Sequence, residues 1–290
     1  MNKPPPSTLV TGAHAASWRD TALTIRYLAQ MLSRLSDPAP GSELAGDDAA
    51  VTGHGEYPSD ATRAQLDAAM ENLSLWANVV SPMLFIDGVE VKNPPRPYFT
   101  LARAGLESAA SAAWVLSPQD PSERADRHMR LVLEDLDQMR KALCLSDAAQ
   151  ADAVQLRIDA ARQAHPRAIQ SAPSYVAMVR DAALRAGWDA NGAEELWRMA
   201  SAAAHGKRWF TGATHHTILG EEFSPGRHRA VHFPDPDKIT EMVALATKVA
   251  DWAVIRYGEL AGAPLDELHR QCMQALQNNM PRSVQVPDLT

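Results

Sequence analysis

The sequence predicts an all-α protein, an antiparallel helical bundle, and three observations predict it. The 290-residue chain is alanine-rich with only 6% aromatic residues, a composition that favours closely packed helices over sheets. Segment after segment places apolar residues three and four apart. Most of these segments open on Ser, Asp or Pro and close at Gly or Pro, as helices do. Only between Lys207 and Phe233 does the pattern change. Hydrophobic residues make up 46% and charged residues 22%, ordinary values for a chain long enough to bury a core of its own.

Residues 1 to about 16, rich in Pro and then in Gly, Ala and Ser, are expected to form a flexible lead-in. A helix capped by Ser17 runs to about Leu35, with Leu28, Met31, Leu32 and Leu35 on one stripe, and stops at Ser36-Asp37-Pro38. Residues 37 to 58 carry almost no large apolar side chain and are expected to be a flexible loop. The second helix, from Ser59 to about Phe85, presents Leu66, Met70, Leu73, Trp76 and Val80, and Asp87-Gly88 ends it. After the Asn93-Pro94-Pro95-Arg96-Pro97 turn, a third helix spans Tyr98 to Leu116. It is small or apolar on most faces, which places it in the middle of the bundle.

The fourth helix, Pro121 to Leu143, is cleanly amphipathic through Met129, Val132, Leu136 and Leu143. Ser146-Asp147 caps a polar helix to about Ala164, and two shorter helices follow at Ser174 to Ala186 and Ala193 to His205. Gly206 is suited to close the latter. Residues 207–233 read as a small β-hairpin or as an irregular insert, with Trp209, Thr217, Ile218, Val231 and Phe233 around Gly220 and Pro225-Gly226. Asp235 caps a long helix to about Leu260, and the last helix runs from Pro264 to about Asn278. One domain over 17–279 results, with residues 280–290 expected as a disordered tail.

Composition narrows the function. A net charge of -7 gives no broad electrostatic attraction for nucleic acid and leaves only a local basic site. Cys144 and Cys272 lack paired spacing, which suits a reducing compartment. Met1-Asn2-Lys3-Pro4-Pro5-Pro6 has no secretory apolar segment. No run reaches the ~18 apolar residues of a membrane span. A cytoplasmic protein with no membrane partner is expected.

Two groups of residues could carry chemistry. Arg198, Ser201 and His205 are spaced three and four apart and share one helix face among small alanines. An imidazole moves protons and a guanidinium grips a phosphate at two points, a set suited to phosphodiester cleavage. The same residues also serve structure, His205 at a helix C-terminus and Ser201 bonding back to the carbonyl of Trp197. Arg103 and Glu107 form an i,i+4 pair inside the most apolar helix, where charge is costly to bury unless satisfied. Either they fix helix register, or they complete a polar pocket facing Arg198, Ser201 and His205. His215-His216 and His228-x3-His232 lack the cysteine or carboxylate partners of a metal site. No phosphate-binding glycine loop and no Gly-x-Ser-x-Gly turn occurs. No metal and no cofactor is expected.

Arg198-x6-His205 resembles the signature of the HEPN superfamily, small helical bundles that include RNases of toxin–antitoxin and defence systems. That signature is an arginine followed after four to six residues by a histidine on the last helix of the bundle, and Met199 stands where many members carry a polar residue. A second resemblance covers residues 98 to 206. Arg103-x3-Glu107, Trp114-Val115-Leu116 with Pro118, Arg124, and Ser201-x3-His205-Gly206 are similar to a group of uncharacterised actinobacterial helical proteins. The HEPN resemblance implies a metal-independent RNase with RNA as partner, Arg198 holding the phosphate, His205 as general acid/base, and Ser201, Arg103 and Glu107 shaping the site. The alternative is a non-catalytic interaction or regulatory protein in which these residues hold helices together, including across a homodimer.

Overall fold

The computed structural model describes residues 11–51, 56–86, 94–164, 169–280 and 282–284. The Pro-rich start, the Asp87-Gly88 stop and most of the tail lie outside the described residues. The architecture is an all-α helical bundle with a small two-stranded hairpin. Its helices are α1 (Gly12–Arg34), α2 (Glu43–Ala50), α3 (Pro58–Val80), α4 (Pro95–Leu116), α5 (Pro121–Leu143), α6 (Ala148–Ala164), α7 (Tyr175–Arg185), α8 (Ala190–Ala204), α9 (Arg208–Thr214), α10 (Pro236–Leu260) and α11 (Leu265–Asn278). The strands are β1 (Leu84–Ile86), β2 (His215–Ser224), β3 (Arg227–Pro234) and β4 (Arg282–Val284).

Helix α1 starts before Ser17 because Thr11 builds a capping box with His14. The Thr11 side chain takes the His14 N–H and the imidazole takes the Thr11 N–H at 3.1 Å, so a histidine fills the place usually held by Glu or Gln. The same imidazole reaches Asp237 at 2.8 Å and ties α1 to α10. Helix α2 lies within the stretch read as a loop. Ser42 caps it, and it buries Leu44 and Asp47. Helix α3 ends at Val80, five residues short of Phe85, and Leu84–Ile86 instead pairs in parallel with Arg282–Val284.

Helix α4 occupies the centre, packed between α3, α7, α8 and α10. A helix that is small and apolar almost all round has nowhere else to go. Trp18, Trp76 and Tyr98 meet edge to face at 6.3–6.4 Å where α1, α3 and α4 converge. Gly105 sets the α3–α4 spacing, since a Cβ there would sit 2.8 Å from Leu73 Cγ and 3.3 Å from the Ala69 carbonyl. Gly105→Ala gains about 1 kcal/mol of helix propensity, yet overpacking costs about 1–3 kcal/mol. A net loss of stability is therefore expected in urea unfolding, and a gain would show that the two helices can separate freely.

Helices α5 and α6 form a hairpin with a small core of its own, Val132 and Leu136 against Val154 and Ile158. It joins the main body through Met129, which meets Val51, through Leu131 on the main core, and through polar anchors. Arg124 enters the interior, and Arg127 and Arg130 both lie over the Trp114 ring at 5.0 Å. Residues 207–233 resolve into α9 and the β2–β3 hairpin, paired antiparallel from His215–Pro234 to Ser224–Arg227. Gly226 supplies the positive φ its turn requires (φ 70°). Among the described residues no helix is long and apolar enough to cross a membrane.

Candidate functional site

Helix α8 is fixed at both ends by its own sequence. Asp189 accepts the Gly192 N–H at 2.6 Å to start it. Gly206 (φ 65°) stops it: Lys207 N–H returns to the Ala202 carbonyl at 2.9 Å and Gly206 N–H to Ala203 at 3.2 Å. This pair of bonds is a Schellman closure, and it makes His205 the C-cap residue. Arg96 at the start of α4 completes the end, donating to the Ala203 carbonyl at 3.3 Å and the Lys207 carbonyl at 3.4 Å while lying over the Phe210 ring.

Further along the same contact, Glu107 joins the two helices. Its Oε1 accepts from Arg103 Nε at 2.8 Å and from the Trp197 indole N–H at 2.7 Å. The Arg103 guanidinium lies 5.4 Å from the Trp197 ring centre. Both charged side chains are largely covered, at 20% and 17% exposure, and each is satisfied by the other and by the indole. The predicted ion pair thus meets α8, but it meets Trp197. Arg198 lies one position, about 100°, further round the helix.

That rotation turns Arg198 outward. Its Nε and Nη2 both donate to Glu194 Oε1, at 2.8 and 2.6 Å, and the side chain stays 60% exposed. Arg180 of α7 takes the other oxygen of Glu194 at 2.6 Å. Hydrogen bonds from Arg198 first, then Arg180, hold the Glu194 carboxyl below its ordinary range. Ser201 is half-buried and His205 exposed. Among the described residues neither side chain has a hydrogen-bond partner, and the bond from Ser201 back to Trp197 is not made. No protein-family model matches this chain, and no curated protein or solved structure matches it.

The site residues therefore divide in two. Arg103 and Glu107 work inside the α4–α8 contact, whereas Arg198 and His205 stand on an open face and line neither of the described cavities. On a chain of net charge -7, α8 and its exit gather Arg198, His205, Lys207 and Arg208 in exposed positions. The four histidines of the hairpin are engaged locally, His232 with Thr217 at 2.9 Å and His216 3.8 Å from Asp235. Sequence reasoning missed Trp197, Glu194, Arg180 and Arg96. Glu194 was legible in principle as the i−4 partner of Arg198; the other three become neighbours only through tertiary packing.

The Glu107 clamp has a measurable consequence. Glu107→Ala strands the half-buried Trp197 N–H and Arg103, and an unsatisfied group of this kind costs about 1–3 kcal/mol. Glu107→Gln keeps an acceptor for the indole and is expected to lose clearly less. Equal losses in chemical unfolding would mean that Glu107 only fills space.

Proposed function

We propose that this chain is a HEPN-like, metal-independent RNase that acts from the exposed face of α8. The observation that supports this reading is the His205 imidazole, exposed and without a hydrogen-bond partner among the described residues, at the end of the helix that carries the exposed Arg198 and just before the exposed Lys207 and Arg208. An RNA strand needs no enclosed pocket; it needs exposed cations along its phosphates. The Glu194 pair does not block Arg198, because an exposed i,i+4 pair is worth about 0.3–0.5 kcal/mol. A charge-assisted hydrogen bond to a phosphate is worth about 1.5–3 kcal/mol, so phosphate displaces the carboxylate.

The chemistry is a transesterification. The ribose 2′-hydroxyl attacks the adjacent phosphorus, the bond to the 5′-oxygen breaks, and a 2′,3′-cyclic phosphate and a free 5′-hydroxyl result. His205 takes the proton from the 2′-hydroxyl or gives one to the departing 5′-oxygen. One imidazole performs one of these transfers, and water or the same residue of a second copy performs the other. The test is cleavage of single-stranded RNA by the purified chain in excess EDTA, beside His205→Ala. Cleavage lost in the variant supports the reading; no cleavage by either protein, or equal cleavage by both, defeats it.

A second reading has one observation of its own. Glu107, Arg103 and Trp197 spend their polar groups on holding α4 to α8, as they would in a non-catalytic interaction or regulatory protein. On that reading the chain binds a partner, including a second copy, and cuts nothing.

A further inference from the structure

Six successive residues at the exit of α8 are exposed: Ala204, His205, Gly206, Lys207, Arg208 and Trp209. His205, Lys207 and Arg208 already belong to the proposed cleavage face. Trp209 does not, and it is unlike the other tryptophans. Of the seven in the chain, Trp18, Trp76 and Trp114 are buried, and Trp188, Trp197 and Trp252 are partly buried against the core. Each of the last three also carries a cation over its ring, Lys248, Arg103 and Arg185 in turn. Trp209 is 51% exposed, and among the described residues its indole has no hydrogen-bond or ring partner.

The exposure is imposed by the next residue. Phe210 is fully buried, edge to face with Phe99 at 5.2 Å and with His215 at 5.7 Å, and Arg96 lies over it at 4.7 Å. One turn on, Thr214 is buried as well, and its hydroxyl donates to the Phe210 carbonyl at 2.7 Å. These two residues, four apart, fix the face that α9 turns to the body. Trp209 stands about 100° from Phe210 around the helix and is therefore held outside. The indole is a mounted apolar plate in water, next to two cations.

Charge narrows what the plate meets. Lys207 and Arg208 precede it, His205 lies four positions earlier, at most ~14 Å along the chain, and no aspartate or glutamate occurs from Met199 to Gly220. The Asp235 carboxylate, 3.8 Å from His216, belongs to the other end of α9. Cations attract phosphates, and an aromatic face stacks a nucleobase whatever its identity. Cations alone would suit any anionic surface. An unpartnered indole among them selects a polyanion that also carries flat aromatic groups. A duplex keeps those groups stacked on one another, whereas a single strand offers them freely.

We propose that Trp209 stacks a base of single-stranded RNA close to the phosphate held at α8, which makes it a substrate-binding residue and unpaired RNA the substrate class. This rests on the RNase reading for the nature of the strand, but its test does not depend on cleavage. The probe is a short fluorescein-labelled 2′-O-methyl RNA of mixed sequence, which lacks the attacking hydroxyl and is not cut. Its affinity for the full chain is read by anisotropy, beside an abasic strand with the same backbone and a blunt duplex. The parent is expected to bind the strand about 10-fold more tightly than the abasic one, within the range for one base on an aromatic ring. Trp209→Ala is expected to remove that difference and to leave the abasic strand and the duplex unchanged, while Trp209→Phe keeps most of it. Equal affinity of the parent for the two strands, or a loss in Trp209→Ala common to both, would overturn the proposal. So would a change from dimer to monomer in Trp209→Ala with strand affinity unchanged, since the indole would then be a protein contact. The two readings fail separately. The stacking pattern without His205-dependent cleavage defeats the RNase and leaves a single-strand binder; cleavage without the stacking pattern defeats the role of Trp209 alone. No binding of the strand by the parent defeats both.

Discussion

Asp47→Ala is expected to cost about 3–5 kcal/mol of stability, the usual price of removing one partner from a buried ion pair. Asp47 and Arg124 are each 1% exposed. Arg124 grips Asp47 at two points, Nε to Oδ2 at 2.6 Å and Nη2 to Oδ1 at 3.1 Å, and donates Nη1 to the Pro118 and Gln119 carbonyls at 3.0 and 3.1 Å. The variant leaves that guanidinium in the interior with the two carbonyls and, as its remaining ion-pair partner among the described residues, the largely exposed Glu43 at 3.2 Å. The pair is nonetheless not a large net gain. Burial, helped by repulsion from Asp48 and Glu43, holds the Asp47 carboxyl above its ordinary range in spite of the hydrogen bonds from Arg124.

The sign follows from linkage. A carboxyl whose folded value lies above its ordinary 3.8 takes its proton first in the folded chain, so this group's own term favours the fold as pH falls through that folded value. Glu194 works the other way. Its lowered value makes a contribution present above the ordinary 4.5 and lost as pH falls through the folded one. The cost at Asp47 is thus that of an orphaned charge, and Asp47→Ala with Arg124→Met is expected to recover most of it. Urea unfolding of the two variants beside the parent chain checks this. A loss below about 1 kcal/mol for Asp47→Ala would mean that water reaches Arg124.

The same residue shows why part of the fold was illegible in the sequence. The longer helices announce themselves by apolar periodicity and by caps, because each buries a stripe against a neighbour. Helix α2 has only eight residues, too few to be stable by itself, and its anchor is one carboxylate whose partner lies 77 positions away. The start of α1 was hidden because His14, not Glu or Gln, closes its capping box. In the site, spacing revealed that Arg103 and Glu107 pair, since i,i+4 is local. That Glu107 also takes Trp197 depends on the phase at which α8 docks on α4, and a rotation of one residue exchanges Trp197 for Arg198. Periodicity fixes a stripe to within about a residue, and at this contact that residue decides which side chain is structural.

His205→Ala is expected to reduce RNA cleavage by about 10²–10⁴-fold, the range for losing a positioned proton-transfer group. The effect is expected without a change in stability, because exposed side chains lacking partners usually alter it by less than about 0.5 kcal/mol. Arg198→Ala gives a contrasting pattern. Losing one phosphate contact weakens binding on all sequences and lowers the slope of log affinity against log salt by about 1, with a smaller effect at saturating RNA. Glu107→Gln, acting within the α4–α8 contact, is expected to change unfolding more than cleavage. Three variants along one pair of helices therefore separate three roles: turnover for His205, salt-dependent affinity for Arg198, stability for Glu107. If cleavage instead tracks stability across all three, the face of α8 has no chemistry of its own, and the interaction reading is the one that survives.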